Sequence, residues 1–132
     1  MQRLFVDTSA WFAFINRKDR EHGAVADALR RHAGRLVTSN FVLDEIVSLC
    51  LYRMGHDVAV RAGRALMDPR AVDLVRLTAA DEQAAWRLFC ARGDQRFSFT
   101  DCTSFILMRR LGIDTALALD DDFRAEGFGM VP

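Results

Sequence analysis

The chain has 132 residues, 51% of them hydrophobic with ten Phe and two Trp, enough for one domain whose core needs no disulfide or structural metal. Eighteen acids balance eighteen bases, which excludes a uniformly basic nucleic-acid binder but leaves room for segregated charge. No uncharged run approaches the length of a membrane span, and Asp7 comes too early for a secretory apolar region, so the expectation is a soluble, cytoplasmic protein without a membrane partner.

In chain order, Arg3 to Asp7 reads as a short buried strand, and Thr8 or Ser9 caps a helix from Ala10 to Asn16. A helix from about Arg20 to His32 stops at Gly34, and Arg35 to Thr38 is a second strand. Asn40 to Met54 is a long helix ended by Gly55, followed by a helix from His56 to Met67. Ala71 to Leu77 is a strand, and Thr78 with Asp81 forms a capping box that opens a helix to Arg92. Phe97 to Phe99 leads into a helix from about Asp101 to Leu111, closed by Gly112. Thr115 to Leu119 and Phe128 to Val131 complete the strands. Strands separated by helices need crossover connections, which implies an α/β fold: a three-layer α/β/α sandwich around a mainly parallel sheet, in a single domain spanning residues 1–132.

Cys50, Cys90 and Cys102 form no CxxC pair and read as reduced thiols. His22, His32 and His56 lack the spacing of zinc ligands. The chemistry therefore rests on acids. Asp7 and Asp120 each follow a strand, and ligands of open parallel sheets bind beyond the carboxyl ends of strands. Glu45 lies in Phe41 to Tyr52, a helix apolar on most of its circumference, in line with Phe41, Ser48 and Tyr52; a buried acid there needs a cation. Asp44 is rotated about 100° away. Asp101 begins an apolar helix whose dipole favours the ionised form. If Asp120 to Asp122 is extended, Asp120 and Asp122 share one side; a helical turn breaks that pairing.

Carboxylates gathered in one place repel by about 1 kcal/mol per pair at ~4 Å in water and about 4 at an intermediate dielectric, so folding needs a compensating cation. Oxygen ligation without His or Cys suits Mg²⁺ or Mn²⁺, ions that activate water and steady a phosphodiester displacement.

The segments FVDTSAW, DEIVSLCLYRMG, FSFTDCTSF and ALALDDDFRAEGF, in that order and spacing, resemble the PIN-domain family over nearly the whole chain, especially its small bacterial VapC-like toxins. The resemblance implies a metal-dependent endoribonuclease in which a metal-activated water attacks RNA in line and leaves 5′-phosphate and 3′-hydroxyl ends. It matches Asp7, Glu45, Asp101 and Asp120 to the catalytic and metal-holding acids, Asp122 to an additional acid, and Thr8, Ser9, Thr103 and Ser104 to supporting hydroxyls. It implies one or two Mg²⁺ ions, with Mn²⁺ as a substitute, a homodimer, and a small antitoxin that covers the site.

Arg17, Lys18 and Arg20, with Arg109 and Arg110, are candidates for substrate grip. No aromatic run marks a base-stacking platform. A haloacid-dehalogenase-like phosphatase wants a second Asp where Ser9 stands, a receiver domain wants a late Lys, and DTSAWF lacks the glycines of a dinucleotide site. A catalytically inactive PIN-like RNA- or protein-binding module is the remaining alternative.

Overall fold

The structure is a computed structural model that describes residues 2–132. Its elements are β1 (Leu4–Val6), α1 (Thr8–Ile15), α2 (His22–Arg31), β2 (Leu36–Ser39), α3 (Asn40–Met54), α4 (His56–Leu66), β3 (Val72–Val75), α5 (Ala79–Ala91), α6 (Phe99–Leu111), β4 (Thr115–Leu117), α7 (Asp122–Ala125) and β5 (Gly129–Val131). The sheet runs β3-β2-β1-β4-β5, and every neighbouring pair is parallel. Right-handed crossovers place α1 to α4 on one face and α5 to α7 on the other. Packing follows that division: α1 lies on α2 and α3, α3 on α4, and α5 on α6, while α3 also meets α6.

Strand order reverses at β1, which pairs with β2 on one side and β4 on the other. That switch point opens a crevice beyond the carboxyl ends of β1 and β4. The two central strands are buried, β1 throughout and β2 from Val37 onward, as a sheet covered on both faces requires.

Caps set the helix boundaries. The Ser39 hydroxyl accepts from the Val42 amide to start α3, and Gly55, at φ 96°, ends it in a conformation that penalises any side chain. The Thr78–Asp81 capping box opens α5, and a second box, Ser98–Asp101, opens α6. Asp7 caps α1 in place of the expected Thr8 or Ser9, its extended backbone and carboxylate meeting the Ser9 amide. The second helix is shorter than expected, beginning at His22 after a turn through Asp19 and ending before His32.

Aromatic packing fills the layer under α6. Phe105 packs edge to face on Phe97 and on Phe123, ring centres 5.0 Å apart in each case, and Phe123 reaches Phe5 at 6.3 Å. Phe5, Phe105 and Phe123 are fully buried.

α3 departs from expectation. Val42, Ile46 and Cys50 form its buried stripe, but Leu51 and Tyr52 are exposed, Tyr52 at 85%. The helix is apolar around its circumference without being buried around it, so burial gives no argument that Glu45 needs a cation.

Candidate active site

The crevice at the switch point collects Asp7, Asp101, Asp120 and Asp122. Their segments are anchored by core phenylalanines. Asp7 follows β1, whose Phe5 anchors the strand; Asp101 stands one turn before Phe105 on α6; and Asp122 immediately precedes Phe123. One interlocked group of rings therefore supports acids from three separate segments.

Three of the four, Asp7, Asp101 and Asp120, also bind backbone with one oxygen. Asp7 Oδ2 accepts from the Ser9 amide at 3.3 Å and from Ser9 Oγ at 2.8 Å. Asp101 Oδ2 accepts from the Ser98 amide at 2.8 Å, and Asp120 Oδ1 from the Asp122 amide at 3.1 Å. The second oxygen of each carboxylate takes no backbone donor, which leaves it free for a ligand. Ser9 does more than orient Asp7: its Oγ accepts from the Leu119 amide at 3.1 Å and so ties the start of α1 to the exit of β4.

Burial drives Asp7 up to about 7, against the opposing pull of Ser9 and with a further push from the charges of Asp101 and Asp120. Asp101 is raised to about 6, by burial first and then by Asp122 and Asp120, with the Ser98 amide pulling the other way. Asp122 is raised by burial and by the neighbouring charge of Asp120. Among the described residues none of these four acids has an Arg or Lys ion-pair partner, whereas Asp27, Asp68, Asp73, Asp81 and Glu126 do. Burial and mutual repulsion of uncompensated carboxylates thus dominate the site.

Other expectations are met differently. Asp120 and Asp122 do come together, but not as alternate residues of an extended segment. β4 ends at Leu117 rather than Leu119, and a turn carries the chain into α7, where the Asp122 amide folds back onto Asp120. Glu45 is half-buried, with no hydrogen bond or ion pair among the described residues, and is not among the charges acting on Asp7 or Asp101. Thr103 is buried and its Oγ1 donates to Thr100 O at 2.6 Å, within its own helix. Thr8 Oγ1 and Ser104 Oγ are buried without a partner, one beside Asp7 and the other a turn beyond Asp101. Arg109 and Arg110 are not free for substrate: Arg109 joins Arg92 on Glu126, and Arg110 grips Asp81. Arg17 and Lys18 are exposed without an ion pair among the described residues, and Arg17 lines a groove of about 460 Å³ with Arg30 and Arg61. Arg20 stands 3.9 Å from Glu21 and is almost fully exposed.

Sequence reasoning missed Ser98, which fixes Asp101. Its S-x-x-D spacing repeats the pattern at Thr78 and carried the same signal.

The donors suit a hard divalent cation, being carboxylate oxygens with no His, Cys or neutralising base among them. Among the described residues no group of three or more acid, His or Cys side chains stands at metal-ligand range.

A parallel α/β sheet with unneutralised acids at its switch point defines a class of phosphate-directed sites. The chain belongs to the PIN-domain family: the family's PIN domain matches residues 4–128. Among its relatives in Mycobacterium tuberculosis, the 23S rRNA-specific endonuclease VapC20 is 39% identical over 125 residues, 95% of each chain. Ribonuclease VapC26 of that organism is 31% identical over 117 residues, 89% of this chain and 86% of the relative. The crystal structure of M. tuberculosis VapC20, a sarcin-ricin loop cleaving toxin, matches with a TM-score of 0.91 at 38% identity over 95% of each chain. VapBC2 from Rickettsia felis, bound to a DNA fragment from its promoter, shares the fold at a TM-score of 0.75 and 10% identity, over 98% of this chain and 97% of the other. No helix of the described residues is long and apolar enough to cross a membrane.

Proposed function

We propose that this chain is a metal-dependent endoribonuclease that hydrolyses RNA phosphodiester bonds, and that it is the toxin of a toxin–antitoxin pair. The observation that carries the reading is the set of acids Asp7, Asp101, Asp120 and Asp122, mutually repelling and without a basic partner, beyond the ends of β1 and β4. The two M. tuberculosis relatives, named as an rRNA endonuclease and a ribonuclease, support it.

Asp7, Asp101 and Asp120, with Asp122 at the start of α7, would hold Mg²⁺ or Mn²⁺. When bound, the ion supplies positive charge at the scissile phosphate and lowers the pKa of water. Ser9 holds Asp7 in its ionised, ligating form. Glu45, half-buried and without an ion pair among the described residues, would bind metal or position the attacking water. The hydroxyls of Thr8 and Ser104 are available to orient water at the edge of the cluster. The protein works as a homodimer in the cytoplasm, restrained by a small antitoxin that covers the acidic crevice with a basic side chain.

The test is cleavage of RNA by purified protein in EDTA, Mg²⁺ or Mn²⁺, comparing wild type with Asp7→Asn and Asp101→Asn. Cleavage appears only with metal and is lost in both variants while their circular dichroism is unchanged. Equal cleavage by all three proteins, or cleavage in EDTA, overturns the reading. RNA binding without any cleavage identifies a binding module instead.

A further inference from the structure

α7 is a single turn, Asp122–Ala125, too short to hold its own shape. It brings Asp122 to the crevice, so its orientation decides where that carboxyl stands. Phe123 pins the turn to the core through Phe105, but one ring alone leaves the turn free to roll about its axis. Glu126, the C-cap of α7, supplies the second pin. Its side chain is only 5% exposed and meets two arginines from neighbouring helices. Arg92, which caps the end of α5, grips it as a fork: Nε donates to Oε2 at 3.1 Å and Nη2 to Oε1 at 2.9 Å. Arg109 of α6 donates through Nη2 to Oε1 at 3.1 Å and to the Glu126 carbonyl oxygen at 2.9 Å. The Arg109 guanidinium also lies over the Phe128 ring, 5.1 Å from its centre.

Local forces do not ask for this arrangement. The helix dipole opposes a carboxylate at a C-terminus, and taking it out of water costs more again. A buried ion pair adds little stability over an apolar contact, but it enforces one geometry. Here that geometry leads back to the acids. The Glu126 amide donates to Asp122 O at 3.2 Å, so the two residues stand one turn apart on the same face of α7. α6 carries Asp101 in its first turn and Arg109 in its last, about 12 Å further along the axis. One helix therefore fixes Asp101 at one end and holds the turn that carries Asp122 at the other. Asp122 is close enough for its charge to act on Asp101.

We propose that Glu126 is a positioning residue for the acidic site: its clamp by Arg92 and Arg109 sets the roll of α7 and with it the separation of Asp122 from Asp101. The inference rests on the reading of the acids as a metal site and adds a residue outside them that tunes its affinity. The Arg110–Asp81 pair is the built-in comparison. Asp81 has the same 5% side-chain exposure and the pair likewise joins α5 to α6, but it makes no hydrogen bond to α7 among the described residues. A clamp that merely tied helices together would be matched by that pair in every effect.

The test measures Mn²⁺ binding by electron paramagnetic resonance without RNA, and cleavage rate against Mg²⁺ concentration. The proteins are wild type, Glu126→Gln, Arg92→Met, the double variant and Arg110→Met, each checked by circular dichroism at the working temperature. Glu126→Gln keeps the size of the side chain and one acceptor but loses the charge and the fork. It binds Mn²⁺ roughly 10-fold more weakly and needs correspondingly more Mg²⁺ for half-maximal cleavage. Saturating Mg²⁺ returns its kcat to within about threefold of wild type, as a defect in metal holding rather than chemistry requires. Arg92→Met shows the same shift, and the double variant is no worse than either alone, because both act through one contact. Arg110→Met melts at a lower temperature but binds Mn²⁺ as wild type does. Mn²⁺ affinity in Glu126→Gln and Arg92→Met within about twofold of wild type overturns the proposal. So does equal weakening in Arg110→Met, which makes the loss one of general stability. A wild type that binds no Mn²⁺ overturns both this assignment and the nuclease reading. A wild type whose Mn²⁺ binding depends on Glu126 but which cleaves no RNA keeps the positioning role and removes the enzymatic reading.

Discussion

Phe105 and Phe123 meet edge to face with ring centres 5.0 Å apart, and each adjoins an acid of the crevice, Asp101 one turn before Phe105 and Asp122 next to Phe123. Core packing thereby sets the spacing of functional carboxylates. Phe123→Ala removes a fully buried ring and costs about 3–5 kcal/mol. Phe123→Leu costs about 1 kcal/mol and is the informative variant. It folds, it needs a higher Mg²⁺ concentration for half-maximal cleavage, and saturating Mg²⁺ restores most of kcat. Urea melts and an Mg²⁺ titration of the rate check both halves.

Ser9→Ala leaves the Leu119 amide without its acceptor and takes a donor from Asp7. The loss in stability is roughly 1–2 kcal/mol. The hydrogen bonds of Ser9 oppose the effect of burial, so without them the Asp7 carboxyl titrates above its native value of about 7. On the proposed function the ionised acid is the metal ligand, so the acidic limb of the pH–rate profile at fixed Mg²⁺ moves to higher pH. An unshifted limb with an intact Leu119 environment contradicts the role given to Ser9.

Metal-free protein loses stability as pH rises from about 4 to about 7. Asp7 titrates at about 7 and Asp101 at about 6 in the folded state, against 3.8 for both in the unfolded chain. Between those values the folded form holds more protons, so the contribution is complete below the unfolded value and is lost as pH passes through the folded one. Asp81 and Glu126 are shifted the other way, burial being outweighed by their arginines, and act only below the ordinary carboxylate range. Asp7→Asn flattens the slope and raises the metal-free melting temperature at pH 8, by roughly 2–8 °C for each kcal/mol recovered. Thermal melts at both pH values, with EDTA and with saturating Mg²⁺, measure the effect; Mg²⁺ reverses it in wild type only.

Arg110→Met leaves Asp81 buried on α5 with its capping bonds but no cation. Arg110 is itself partly exposed, so water screens the pair. The destabilisation is about 1–3 kcal/mol, and kcat/KM per folded molecule stays within about twofold because the pair lies outside the acidic crevice. A large loss of kcat/KM at full folding places Arg110 on the substrate path instead.

Legibility in the sequence followed the range of the forces involved. The bounds of α3 were readable because a terminating glycine is a local signal, although Gly55 adopts φ 96°, ψ 172° rather than the left-handed helical conformation, and the Ser39 cap was not read. The Thr78 capping box was readable for the same reason, and Asp7 and Asp120 were found because strand ends in a parallel sheet have a fixed functional meaning. The pairing of Asp120 with Asp122 was found for the wrong geometric reason. β4 stops two residues earlier than its apolar run, and the turn that follows uses a side chain-to-amide bond that alternation does not encode. The burial of Glu45 was misjudged because an apolar circumference does not say which side is covered. The rings of Phe41, Trp86, Phe89 and Phe99 share no local pattern, since their contact exists only once α3, α5 and α6 are packed.

β1 sits between β2 and β4, and β4 starts at Thr115. During synthesis the polypeptide can assemble β1, β2 and β3 while everything beyond them is still missing. Until the segment from Thr115 leaves the ribosome, the growing chain has an open edge on β1, and Asp7 waits without Asp120 and Asp122. Translation order alone thus delays assembly of the acidic cluster until the segment from Thr115 onward has been made.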